Sequence, residues 1–134
     1  MKSYKSLVLL ILSICLACPA LLYAVENPVS IKKLKVEYAE MPLGIDVEKP
    51  RFSWQMVVPD TERGYSQKAY QIIVTDEKGS LVWDSGKVSS DLSLNIEYAG
   101  APLQPATCYF WTVNVWNQRR EQSSETSWFE TGLM

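Results

Sequence analysis

The sequence contains no histidine, and this one absence removes the commonest general base, metal ligand and member of a nucleophilic triad. Acyl transfer by a Ser-His pair is excluded. Cysteine is nearly as scarce: Cys15 and Cys18 lie close to the start, and Cys108 stands alone in the rest of the chain. A region with one cysteine has no internal disulfide and must be held together by its apolar core. Loop carboxylates occur, but no run of alternating oxygen ligands around a central glycine marks a calcium loop. No metal and no cofactor is expected. Helical periodicity is missing as well, since beyond residue 30 the apolar residues do not recur at spacings of three and four.

Residues 1 to 24 have the layout of a secretory signal. Lys2 and Lys5 supply a positive start, Leu7 to Ala17 is nearly unbroken apolar sequence, and Leu22-Tyr23-Ala24 ends on a small residue suited to a signal peptidase. The apolar core is short against the ~20 residues that span a bilayer, so cleavage is expected, with no membrane span in the mature chain. Leu16 precedes Ala17-Cys18 where a small residue pair would be needed for lipidation, which argues against a lipoprotein. The expected destination is the periplasm or the outside of the cell. Removal of the leader takes away two of the 13 basic side chains and none of the 15 acidic ones. The remaining net charge of about −4 offers nothing to nucleic acid. Residues 25 to 134 suffice for one domain with one core.

What is present is alternation. Leu34, Val36 and Tyr38 form a first period-two set; Phe52, Trp54 and Met56 a second; Tyr70, Ile72 and Val74 a third. Asp76-Glu77-Lys78-Gly79 reads as a turn, and Leu81 and Trp83 resume the alternation, so residues 68 to 84 are expected to form a hairpin. Leu92, Leu94 and Ile96 make a further strand. Thr107 to Trp116 is the longest, and a last strand is expected to begin near Ser127. Pro28, Pro42, Pro50, Pro59, Pro102 and Pro105 fall in the gaps, where a missing amide donor costs nothing. Seven short strands without a helix predict an all-β, two-sheet sandwich.

The run Leu103-x-Pro105-x-Thr107-x-Tyr109-x-Trp111-x-Val113-x-Val115 resembles the corner between strands E and F of fibronectin type III and immunoglobulin-like domains. In such domains a tyrosine like Tyr109 turns its hydroxyl back to the upstream backbone. Trp54 stands where they place a buried tryptophan. Five further strings carry a sharper resemblance: Pro42-Leu43-Gly44-Ile45-Asp46, Pro50-Arg51-Phe52-Ser53-Trp54, Ala69-Tyr70-Gln71-Ile72-Ile73-Val74, Trp83-Asp84-Ser85-Gly86-Lys87-Val88 and Trp128-Phe129-Glu130-Thr131-Gly132-Leu133. In this order and with these gaps they resemble the N-terminal immunoglobulin-like domain of bacterial alpha-L-rhamnosidases, from about Leu34 to Met134. The resemblance implies that the full-length enzymes hydrolyse terminal alpha-L-rhamnose with inversion, through acidic residues in a later helical barrel. No catalytic residue can be carried over to this chain, which is expected to be a fragment, truncated form or remnant of such an enzyme.

Glycosidases need two carboxyl groups facing across a sugar. Asp76 and Glu77 fall in the hairpin turn, Asp60 and Glu62 in a polar loop, and Asp84 and Asp91 at strand ends, where solvated acids sit in any sandwich. The five tryptophans are the remaining candidates. Trp54 and Trp111, with Tyr109, are assigned to the core by their alternation. Trp83, Trp116 and Trp128, with Phe110 on the face of Trp116, are candidates for an outward surface that docks a neighbouring domain or stacks on sugar. The expected function is a non-catalytic accessory domain whose partners are the remaining domains of the enzyme. The alternative is a free-standing module for plant or polysaccharide glycans, or for adhesion to protein.

Overall fold

The computed structural model describes residues 26–134, and the expected leader, residues 1 to 24, lies outside them. Eight strands follow in order: β1 Ser30–Val36, β2 Arg51–Val57, β3 Gln67–Asp76, β4 Leu81–Asp84, β5 Val88–Ser89, β6 Ile96–Glu97, β7 Cys108–Asn117 and β8 Gln122–Glu130. They form two antiparallel sheets. One has the order β1-β2-β6; the other has the order β4-β3-β7-β8, with β5 continuing the edge of β3 beyond β4. This is the expected sandwich.

Three of the expected strands differ from the observed ones. In β1, Lys33 takes a left-handed φ of 51° and the pairing with β2 shifts between Lys32 and Lys35. This bulge moves the inward positions to Ile31, Leu34 and Val36. Tyr38 is not part of the strand: Glu37 and Tyr38 both have positive φ, and the Tyr38 ring is exposed. Leu92 and Leu94 do not form a strand either. Both are exposed, Asn95 has positive φ, and pairing survives only at Ile96–Glu97. The last strand starts earlier than expected, at Gln122, because its first half is polar and pairs residue for residue with β7.

The core lies between the sheets. Phe52 on β2 packs with ring centroids 4.7 Å from Trp111 on β7 and 6.0 Å from Phe129 on β8. Trp54 meets Tyr70 edge to face at 5.4 Å. Trp54, Trp111 and Tyr109 are buried, as are Ile72, Val74, Val113 and Val115. The indole N–H of Trp111 has no hydrogen-bond partner among the described residues, and packing alone holds that ring.

Two polar arrangements brace this apolar interior. The indole Nε1 of Trp54 donates to Gln67 Oε1 at 3.0 Å, and Gln67 Nε2 donates to the carbonyls of Ser90 at 3.1 Å and Leu92 at 2.7 Å. At the lower corner the backbone N–H of Gln104 donates to Tyr109 Oη at 2.8 Å, the tyrosine corner that the sequence suggests. Thr131, buried beside it, accepts from the Thr107 N–H and donates to the Gln104 carbonyl.

Trp54→Ala is expected to destabilise the fold by about 3–5 kcal/mol, and Tyr109→Phe by about 0.5–1.5 kcal/mol, because it loses one hydrogen bond. Gln67→Met leaves an indole N–H and two loop carbonyls without their partner and should cost about 1–3 kcal/mol. Urea titrations read all three, and unchanged midpoints would contradict this arrangement between the sheets.

Candidate functional site

The three tryptophans proposed as an outward surface do not come together. Trp83 pairs with Val74, whose side chain is fully buried, while Leu81 pairs with Thr75 across a register shift. That shift separates two residues that simple alternation would put on one face. Leu81 is exposed, whereas the Trp83 ring lies against Phe52 at 6.2 Å and Tyr98 at 5.1 Å. Trp83 is therefore a partly buried member of the core margin, which corrects its assignment to an outer surface.

Trp116 and Trp128 do occupy the outer face of the larger sheet, at opposite ends. Trp128 stands opposite Phe110, and Trp116 stands opposite Gln122. Phe110 and Trp116 are six residues apart along β7, about 20 Å at the rise of a strand. The ammonium of Lys87 sits 4.3 Å from the centre of the Trp116 ring, so a cation already covers one aromatic face. Between the two ends runs a polar row across four strands. Gln71 donates to Asp84 at 2.9 Å, Asn114 donates to Gln71 at 3.2 Å, and Ser124 donates to Asn114 at 2.5 Å.

Several carboxylates have structural partners of their own. Arg51 clamps Glu37 with Nε at 3.0 Å and Nη2 at 2.6 Å, and its guanidinium holds the Glu37 carboxyl below the usual range. Asp84 is likewise lowered, first by the Gln71 amide and then by the Gly86 N–H. A general acid for glycoside cleavage needs the opposite displacement. Asp76 accepts from the Lys78 and Ser80 N–H groups of its own turn, and Asp46 accepts from the Met134 N–H. Among the described residues no group of three or more Cys, Asp or Glu side chains is placed to hold a metal ion. No helix among them is long and apolar enough to cross a membrane.

A concavity among the described residues lies at the end of the sandwich that carries Met134. It has a volume of about 430 Å³ and is bordered by Tyr98, Pro102, Leu103, Pro105 and Met134, with Glu48 and Lys49 as its charged members. Tyr98 is fully buried and donates its hydroxyl to the Ala101 carbonyl. Burial, followed by the neighbouring Tyr109, pushes the Tyr98 hydroxyl above the usual phenol range. Sequence reasoning overlooked this residue. Carrying the alternation of Leu94 and Ile96 one step further, to the residue just before Ala99-Gly100, would have reached it.

The sequence of residues 31–134 matches the family described as Rha78A-like, N-terminal immunoglobulin domain. An alpha-L-rhamnosidase of Streptomyces avermitilis is 49% identical over 105 residues, covering 74% of this chain and 10% of that protein. One from Formosa agariphila is 34% identical over 117 residues, covering 81% of this chain and 12% of that protein. The crystal structure of the Streptomyces avermitilis alpha-L-rhamnosidase complexed with L-rhamnose superposes with a TM-score of 0.73 at 44% identity, covering 79% of this chain and 11% of that one. The chain thus spans about a tenth of the length of the curated relatives it matches.

Cys108 sits half-buried at the start of β7. Burial pushes its thiol up, and the Glu77 and Glu130 carboxylates add to the effect. At pH 8 it should alkylate at least about threefold more slowly in the folded protein than in denaturant, since the thiolate is the reacting form. Mass spectrometry of the Cys108 peptide measures this, and equal rates would contradict the assignment.

Proposed function

The chain belongs to the Rha78A-like N-terminal immunoglobulin domains, and on that premise we propose that it acts as a non-catalytic accessory domain of an exported alpha-L-rhamnosidase-like glycoside hydrolase. The observation that carries this reading is the match along residues 31–134 to a segment making up about a tenth of enzymes named alpha-L-rhamnosidase. The chemistry of the chain agrees with it. Glu37, Asp46, Asp76 and Asp84 are engaged in an ion pair, in turns and with backbone N–H groups. Within the full enzyme the domain would brace its neighbours and border the substrate cleft.

The dispersal of the tryptophans favours this role over a free-standing glycan module. Sugar binding by stacking needs an open aromatic platform, and here one ring is turned inward, one is capped by Lys87, and the third lies about 20 Å from the second. The charge and apolar layout of residues 1 to 24 supports export to the periplasm or beyond.

Incubated with an aryl alpha-L-rhamnoside, the chain should release nothing above the buffer rate. Turnover abolished by one Asp or Glu substitution would overturn the proposal. Calorimetry with rhamnose and rhamnose-bearing glycans should give no binding heat, and heat that disappears in Trp128→Ala would establish the glycan module instead. Export is checked separately: N-terminal sequencing of protein from a cell envelope fraction should begin near Val25, and an intact Met1 would contradict it.

A further inference from the structure

We infer that the recess bordered by Tyr98, Pro102, Leu103, Pro105 and Met134 seats the polypeptide that follows the N-terminal immunoglobulin domain in an alpha-L-rhamnosidase. The inference rests on the accessory-domain reading and names the surface and the occupant that this reading leaves open.

The recess is apolar in most of its lining, and its two charged members, Glu48 and Lys49, are of opposite sign. Lys49 is held only by an exposed contact to Glu97 at 3.9 Å, so its ammonium is free to turn to a new acceptor. The walls are built before any partner arrives. The Tyr98 N–H donates to the Pro50 carbonyl, the Tyr98 hydroxyl to Ala101, and the Gln104 N–H to Tyr109. Gly100 is packed so closely that a Cβ there would lie 2.5 Å from the Tyr98 hydroxyl and 2.6 Å from Cβ of Trp83. Two prolines restrict the remaining backbone. A surface already ordered in this way loses little freedom when it is covered.

The route of the polypeptide identifies the occupant. Residues 130 to 134 are held in place by successive hydrogen bonds: Ile45 N–H to Glu130, Thr131 N–H to Thr107, Gly132 N–H to Ile45, and Met134 N–H to the Asp46 carboxylate. This delivers Met134 to the wall of the recess, with Leu133 beside it 88% exposed. In an enzyme of which the matched segment makes up about a tenth, the polypeptide after the position of Met134 therefore departs from the recess wall. Attachment at that point gives the following segment a high effective concentration at the recess, so modest complementarity suffices. The fitting occupant is an apolar segment of the next domain, with a polar group placed to meet Glu48 or Lys49.

The test joins the full chain through Met134 to the Streptomyces avermitilis alpha-L-rhamnosidase, in place of the segment of that enzyme that aligns with it, and compares hydrogen exchange with the free chain. The N–H groups of Ala99, Gly100, Ala101 and Leu103 should exchange at least tenfold more slowly in the fusion, with no change at residues 119–124 at the far end of the sandwich. Pro102→Glu and Leu133→Glu, both at exposed positions, should abolish that protection without altering exchange in the free chain. If the fusion fails to fold, the full chain is mixed with the enzyme lacking its aligned segment, and the same protection is expected in the mixture. Protection that appears on the Phe110 and Trp128 face and not at the recess would overturn this inference while leaving the accessory-domain reading intact. Unchanged exchange everywhere would overturn both.

Discussion

The hydrogen bond from the Trp54 indole to Gln67 is the contact on which the sandwich depends. Trp54 belongs to β2 and Gln67 to β3, so the bond joins the two sheets through the dry interior, where an indole N–H without a partner is costly. It also orients the amide. With Oε1 taken by the indole, Nε2 is directed to the carbonyls of Ser90 and Leu92, and the loop between β5 and β6 is drawn against the core. The backbone N–H of Trp54 donates to the Ser93 carbonyl at 3.1 Å. One glutamine thus ties the two sheets together and holds a segment without regular secondary structure against them.

That dependence explains which parts of the fold were legible in the sequence. Tyr70, Ile72 and Val74, like Tyr109, Trp111, Val113 and Val115, sit in central strands paired on both sides, where period-two alternation follows burial directly. Leu92 and Leu94 carry the same alternation, but the Ser90 and Leu92 carbonyls are taken by the Gln67 side chain, and regular pairing with β2 begins only at Ile96. Nothing local to residues 90 to 95 reports a glutamine 23 to 25 positions away. The candidate site suffered from the same kind of non-local effect. Trp83 changes face because of a register shift opposite Val74 and Thr75, and a bulge is a property of the pairing, not of either strand alone.

The acids follow a related logic. Several carboxylates of this sandwich lie in turns and at strand ends, where nearby N–H groups and one arginine meet them. Glu37 and Asp84 are consequently easier to ionise than free carboxylates. Lowered proton affinity suits a structural anchor and is unsuited to proton donation, so the same interactions that shape the loops remove these groups from acid catalysis.

The row of Asp84, Gln71, Asn114 and Ser124 across the outer face has a consequence during synthesis. While a domain is being made and folded, its exposed apolar surface is available to neighbouring nascent chains. Amides and hydroxyls bound to one another across four strands divide that face into two small aromatic ends, with Phe110 and Trp128 at one and Trp116 at the other. A continuous apolar sheet face would invite aggregation, and the polar row breaks this face into two small aromatic patches.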